Sequence, residues 1–309
     1  MNGLELSEKF CTLVVAPMIS ENFPELVPHM AAGLVGEGSE CFGYDDELSR
    51  DHDWGAAICL WLDAGTLARY GQALHKVFET LPVEFQGFPV RTSGRWSEGR
   101  VGVLETGQFY SRFLGLERSP KNHAEWLAIP EAALAAATNG RVFFDHSGVF
   151  SRIRNTLLAH YPEDVRLKKL AAACAKMAQS GQYNYPRCLA RKETVAATLA
   201  LSEFIEAACF AVFLLNKRYR PFYKWMHRAL PELPLLGETA YRALHLLAAE
   251  PSDRAARIEE LCAAVAETLL RKDISDATGD FLLDHAVSVQ EKIQDDFVRN
   301  LHLMAGLCP

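Results

Sequence analysis

The stretch GEGSECFGYDDELSRDHDWG, residues 36–55, decides how the first half of this 309-residue chain is read. A Gly-Ser pair, Gly38 and Ser39, closes the apolar run AAGLV, and eleven residues separate Ser39 from Asp51. Asp51, His52 and Asp53 then lead into WGAAICLWL (54–62), an apolar run of strand length. If the strand begins at Asp51, its two-residue period sends Asp51 and Asp53 to one face and His52 to the other. Two carboxylates a few ångströms apart repel each other, and a hard divalent cation such as Mg²⁺ relieves that repulsion while leaving positions for substrate phosphates. Small residues at 38 and 39 let backbone N–H groups and a hydroxyl approach an anion closely. Asp45, Asp46 and Glu47, in the same loop, are expected to be solvated or to start a helix.

Outward from this stretch, residues 1–148 mix short strand-like runs with helix. EFQGFPVRTS and RVGVLET carry β-branched residues and glycine breaks, and TLARYGQALHKVFETL (66–81) places Leu67, Tyr70, Leu74, Val77, Phe78 and Leu81 on one helical face. Residues 149–309 read almost wholly as helix. Pro162 and two acids open one helix, with Gly181 as its expected stop; Ser252 is the expected cap of another, and a last amphipathic segment runs from about Gly279 to Leu303. The predicted architecture is therefore α+β: an N-terminal domain with a small mixed sheet, followed by a C-terminal helical bundle.

The spacing Gly-Ser, about ten residues, then Asp-x-Asp entering a strand resembles the signature of the nucleotidyltransferase superfamily with the DNA-polymerase-β-like fold. The resemblance rests on Gly38, Ser39, Asp51 and Asp53. It implies that the Gly-Ser turn holds a nucleoside triphosphate, ATP by expectation, and that the two acids bind Mg²⁺, in a one- or two-metal site. Longer stretches, RVGVLETGQFYSRFLG, WLAIPEAALAAATNGRVFFD, YPEDVRLKKLAAACAKMAQSGQYNYPR and LLNKRYRPFYKWMHRAL, are similar to a bacterial family of unknown function within that superfamily. The two-part plan is also similar to that of the kanamycin- and lincosamide-type enzymes, which implies a small-molecule acceptor.

Active members carry a third acid on a neighbouring strand. Aligning RVGVLETGQFYSRFLG by its FY and LG puts Gly102 at that position, which leaves Glu105, Asp145 or no protein base as the alternatives. The implied reaction is metal-dependent nucleotidyl transfer to a hydroxyl or phosphate; a nucleotide-binding regulator with an incomplete metal site and a protein-modifying enzyme are the other readings. Cations in YNYPRCLARKE and NKRYRPFYKWMHR offer phosphate contacts, with Arg187 and Lys224 preferred. RLKK (166–169) is read as a solvated face.

The charge balance, 32 Lys+Arg against 39 Asp+Glu for a net charge of −7, argues against an extended nucleic-acid track. The longest apolar stretch picked out by eye, 207–216, is short for a membrane span, and no secretory leader pattern opens the chain; the expectation is a cytoplasmic protein. The eight cysteines are scattered without metal spacing and are expected to be reduced, buried thiols.

Overall fold

The core strand of the sheet is the run Met-Ala-Ala-Gly-Leu at 30–34, buried at every position and therefore apolar throughout rather than alternating. The structure is a computed structural model that describes residues 1–51, 54–91 and 99–307, with Asp51 described by its backbone alone. Along the chain, α1 (Gly3–Phe10) and α2 (Ala16–Asn22) precede β1 (Met30–Leu34), and the short α3 (Ser39–Phe42) follows it. Next come β2 (Cys59–Leu62), α4 (Ala64–Phe78), a two-stranded ribbon β3 (Glu84–Phe85) and β4 (Phe88–Pro89), β5 (Gly102–Glu105) and α5 (Thr106–Leu114). Then follow α6 (His123–Ala128), α7 (Glu131–Thr138), β6 (Arg141–Asp145) and α8 (Val149–Leu158).

The main sheet has the order β5-β2-β1-β6 and is mixed, with β1 antiparallel to β2 and β6, and β2 parallel to β5. The protein is thus of mixed α+β class with a small mixed sheet. Strand alternation sends Leu60 and Leu62 into a core with Phe10, Ile19, Leu74 and Phe78, while Trp61 faces the other way and stacks on Phe150 at 3.7 Å between ring centroids. Phe150 belongs to α8. This explains why the first compact unit, Met1–Pro120 with Ala133–Ala159, runs on past residue 148.

The second compact unit, Lys121–Ala132 with His160–Pro309, is helical among its described residues. It contains α9 (Glu163–Met177), α10 (Tyr185–Ala190), α11 (Thr194–Leu215), α12 (Tyr223–Met226), α13 (Gly237–Ala249), α14 (Arg254–Arg271), α15 (Leu282–Glu291) and α16 (Asp296–Arg299). Helix α9 packs against both α11 and α15 and is buried around most of its circumference.

The structure corrects several local expectations. Gly181 does not end a helix: α9 continues through a π-helical segment, Ala178–Asn184, into α10, and a Cβ at Gly181 would collide with the ring of Phe204. Ser252 is not the cap of α14; Asp253 holds that position in a left-handed conformation without a side-chain bond. The last segment is two helices, α15 and α16, rather than one. Arg166, Lys168 and Lys169 are buried, not solvated: Lys168 donates to Gln290 Oε1 at 2.6 Å and to the Leu303 carbonyl at 2.9 Å, and Lys169 donates to the Gly306 carbonyl at 3.0 Å. Helix α11 exceeds the apolar run picked out by eye. Its 22 residues are long and apolar enough to cross a membrane, and 67% of its most apolar window is packed inside the unit instead.

Candidate functional site

The Gly-Ser turn follows β1 directly and is pinned by Asn139. The Gly36 N–H donates to Asn139 Oδ1 at 3.0 Å, and Asn139 Nδ2 donates to the Gly36 carbonyl at 2.6 Å. Gly38 precedes α3, and the left-handed Gly43 ends that single turn. A pocket of about 180 Å³ opens on this turn. Ser39 and Gly38 line it together with Glu37, Glu40, Arg91, Arg100 and Arg112.

The three arginines come from distant parts of the sequence and meet two acids of the turn. Arg91 Nη1 lies 2.6 Å from Glu40 Oε1, and both side chains are more than nine-tenths buried. Glu37, half exposed, lies 3.3 Å from Arg100 and 3.8 Å from Arg112, and Arg112 also donates to the Gly99 carbonyl. Bidentate-capable, permanently charged guanidinium groups around a Gly-Ser turn are suited to phosphate. None of the three stands out in the sequence. Arg91 lies fifty-one residues from Glu40, and no local spacing signals the pairing.

The two acids expected to hold a metal lie largely outside the described residues. Asp53, like His52, is outside the described residues, and so is the side chain of Asp51. The Asp51 backbone ends a 3₁₀ turn, Leu48–Asp51, and β2 begins only at Cys59, so strand alternation does not govern residue 51. Among the described residues, no three His, Cys, Asp or Glu side chains converge as a metal site. The acids lining the pocket, Glu37 and Glu40, already face arginine. Mg²⁺ therefore has no fitting donor set among the described side chains, and Asp51 and Asp53 remain its expected ligands.

The candidates for a third acid stand at the other end of the sheet. Gly33, Cys59 and Gly102 are in register at the end nearest the turn, whereas Leu62 pairs with Glu105 and Ala31 with Asp145. At the rise of an extended strand, Glu105 is about 10 Å along β5 from Gly102. Both acids act as caps. Glu105 accepts from the N–H groups of Gly107 and Gln108 at the start of α5, at 2.8 and 2.5 Å. Asp145 accepts from Ser147 Oγ and from the N–H groups of Gly148 and Ser151, at 3.0, 2.7 and 2.7 Å. Partial burial works to raise the Asp145 carboxyl, but those bonds together outweigh it and hold the group below its usual range. At Gly102 itself, φ is +95° and a Cβ would meet nothing within 4 Å. A carboxylate there would have space but an unfavourable backbone.

Asp45 differs from its solvated expectation: Oδ2 accepts from the Gly3 N–H at 2.7 Å and from Trp54 Nε1 at 3.0 Å, joining the start of α1 to the loop. Asp46 does begin a turn, accepting from the Ser49 N–H at 3.1 Å. Cys41 and Cys59 are buried beside the pocket. Burial pushes the Cys59 thiol up to about 12 and Cys41 well above its ordinary value, so neither supplies a thiolate nucleophile.

Within the second unit, Arg187 lies over the Tyr183 ring, 4.6 Å from its centroid, and Lys224 Nζ lies 5.1 Å from that of Trp225. Both cations have aromatic partners there, which accounts for the interleaving of basic and aromatic residues in those stretches.

A family model, Domain of unknown function (DUF4037), matches residues 126–226. A solved structure, the nucleotidyltransferase-like protein from Exiguobacterium sibiricum 255-15, is similar at 11% identity, with 86% of this chain and 75% of that chain covered and a TM-score of 0.36. A likeness at that score says nothing about activity. No curated protein matches the chain.

Proposed function

We propose that this protein binds the phosphates of a nucleoside triphosphate, ATP first among them, at the Gly38-Ser39 turn and transfers the nucleoside monophosphate to an acceptor hydroxyl or phosphate. The observation that carries this reading is the clustering of Arg91, Arg100 and Arg112 on the pocket that opens at the turn. In the reaction the acceptor oxygen forms a bond to the α-phosphorus, the bond from that phosphorus to the α,β-bridging oxygen breaks, pyrophosphate leaves, and the proton of a hydroxyl acceptor passes to solvent water. Such transfer depends mainly on positioning and charge neutralisation. The turn supplies close backbone approach and a hydroxyl from Ser39, and the arginines balance the charge of the departing pyrophosphate. This neutralising role goes to the three pocket arginines rather than to Arg187 and Lys224, which rest on aromatic faces in the second unit. Asp51 and Asp53 would hold Mg²⁺, which would supply positive charge against the phosphates. The acceptor is proposed to be a small molecule.

A second reading, a nucleotide-binding regulator without turnover, draws on Gly102 and on the commitment of Glu105 and Asp145 to helix capping. One experiment separates the two. Incubation of the protein and Mg²⁺ with α-phosphate-labelled nucleoside triphosphates and cell extract labels a small acceptor if transfer occurs. Nucleotide binding without any labelled product supports the regulator, and labelled protein bands point to a polypeptide acceptor. Asp51→Asn and Asp53→Asn are each expected to lose Mg²⁺-dependent triphosphate binding by about tenfold or more with the thermal transition retained. Binding equal to that of the wild type in either variant overturns the assignment of that residue.

A further inference from the structure

We infer that the carboxylate of Glu40 is an internal surrogate for a phosphate group, which an incoming polyphosphate must displace from Arg91 and from the Gly-Ser turn. The inference rests on the phosphate-binding reading of that turn. Glu40 follows Ser39 directly, and its side chain folds back over the turn. A Cβ built on Gly38 would collide with both of its carboxylate oxygens, so the carboxylate lies against the turn in the space a side chain at 38 would fill. From that position it faces Arg91 Nη1 at 2.6 Å, with 6% of the Glu40 side chain and 9% of the Arg91 side chain exposed. The same pocket wall carries Ser39, Arg100 and Arg112.

The physical consequence is an exchange of anions. Removing an anion from a buried guanidinium is costly, and Glu40 supplies a negative charge at Arg91 Nη1 until a phosphate takes its place. Binding is then weakened by the free energy of moving the carboxylate away, as for any ligand that requires a minor conformation. Glu37 is a built-in contrast. It also faces arginine in this pocket, but about half of its side chain is exposed, and water readily takes over its interactions. The pocket volume of about 180 Å³ is below the roughly 300–1,000 Å³ usual for whole small-molecule ligands, which suits it to a phosphate chain rather than to a nucleoside.

Titration calorimetry with inorganic pyrophosphate and with ATP tests this. Glu40→Gln, which keeps the shape and a hydrogen-bonding group but removes the charge, is expected to bind pyrophosphate about tenfold or more tightly than the wild type, consistent with about 1.4 kcal/mol per decade. Glu37→Gln is expected to change the affinity by less than about threefold, as exposed pairs do. Equal or weaker binding by Glu40→Gln, with the wild type binding, overturns the surrogate role and identifies Glu40 as a residue that positions Arg91; the phosphate-binding reading then survives. Absence of binding to both probes in the wild type and in every variant overturns that reading and the inference with it. If Glu40→Gln loses its cooperative thermal transition, Glu40→Asp carries the test. It withdraws the charge by one methylene and is expected to tighten pyrophosphate about threefold, and no gain overturns the inference.

Discussion

At Gly38 a single missing methyl group lets the Glu40 carboxylate lie over the turn. Gly38→Ala is therefore expected to drive that carboxylate off Arg91 and to destabilise the protein by about 1–3 kcal/mol, the usual range for a forced steric insertion. Urea unfolding measures it, and an unchanged midpoint would show that the turn tolerates the methyl. A second residue-scale effect belongs to Glu131, which is buried in the second unit. Burial outweighs the attraction of Lys169 and Arg220 and pushes its carboxyl up to about 8. In the unfolded chain the group ionises near 4.5. Its neutral burial is fully compatible with folding below pH 4.5. As pH rises from 4.5 to 8 the unfolded chain releases a proton that the folded chain keeps, so wild-type stability falls through that window. Glu131→Gln lacks this proton and is expected to gain on the wild type between those pH values, read as a widening gap in urea midpoints; parallel curves would place the ionisation elsewhere. Gly38 and Ser39 were legible at this scale because their spacing is local. Arg91, Arg100 and Arg112 were not, since only the fold brings them to the turn.

Helix caps determine how two acids are used at the scale of elements. Glu105 and Asp145, both reasonable bases when only their distance from a motif is known, each sit at a strand end; Glu105 is the N-cap of α5, and Asp145 accepts from the N–H groups of Gly148, just before α8, and Ser151 in its first turn. Glu105→Ala and Asp145→Ala should each cost about 1 kcal/mol at neutral pH, the ordinary value of an N-terminal cap. The Asp145 loss has a stated pH dependence. Its folded pKa is depressed, so its contribution is present above the unfolded value of 3.8 and disappears as the pH falls below it. The unfolding curves of Asp145→Ala and the wild type should converge in acid, and a constant offset down to about pH 2 would contradict the cap. Under the transfer reading, Glu105→Ala should retain turnover; abolished turnover with a normal unfolding transition would restore Glu105 as the base. The helix expected at 66–81 appears as α4, Ala64–Phe78, because its apolar stripe and the Asp63 cap are both local signals. Gly181 misleads for the opposite reason. Its small size serves the ring of Phe204, a contact across sequence that no local rule reports.

Across the whole second unit, the C-terminal segment is tied to α9 by lysine. Lys168 and Lys169 donate to the carbonyls of Leu303 and Gly306, and Gln290 donates to those of Arg299 and Leu301. Removing residues 301–309 takes away acceptors from two buried ammonium groups. The cost is expected to be about 3–6 kcal/mol, from roughly 1.5–3 kcal/mol for each of the two charge-assisted hydrogen bonds lost, with Lys168 keeping its bond to Gln290 Oε1. Amide hydrogen exchange along α9 reads this directly, and unchanged protection there would show that water replaces the segment without loss.

By itself the sequence determined the alternation of strands and helices, the helical character of the second half and the Gly-Ser turn, because each rests on interactions between residues close along the chain. Only the tertiary structure decided that α8 belongs with the sheet, that RLKK is interior and that Glu105 and Asp145 are caps at the far end of the sheet from Gly38. It also gathered three arginines around the turn and laid Glu40 across it. These outcomes depend on which distant backbone segments come into register and on which charges are stripped of water together, and those are properties of packing that no window of sequence contains.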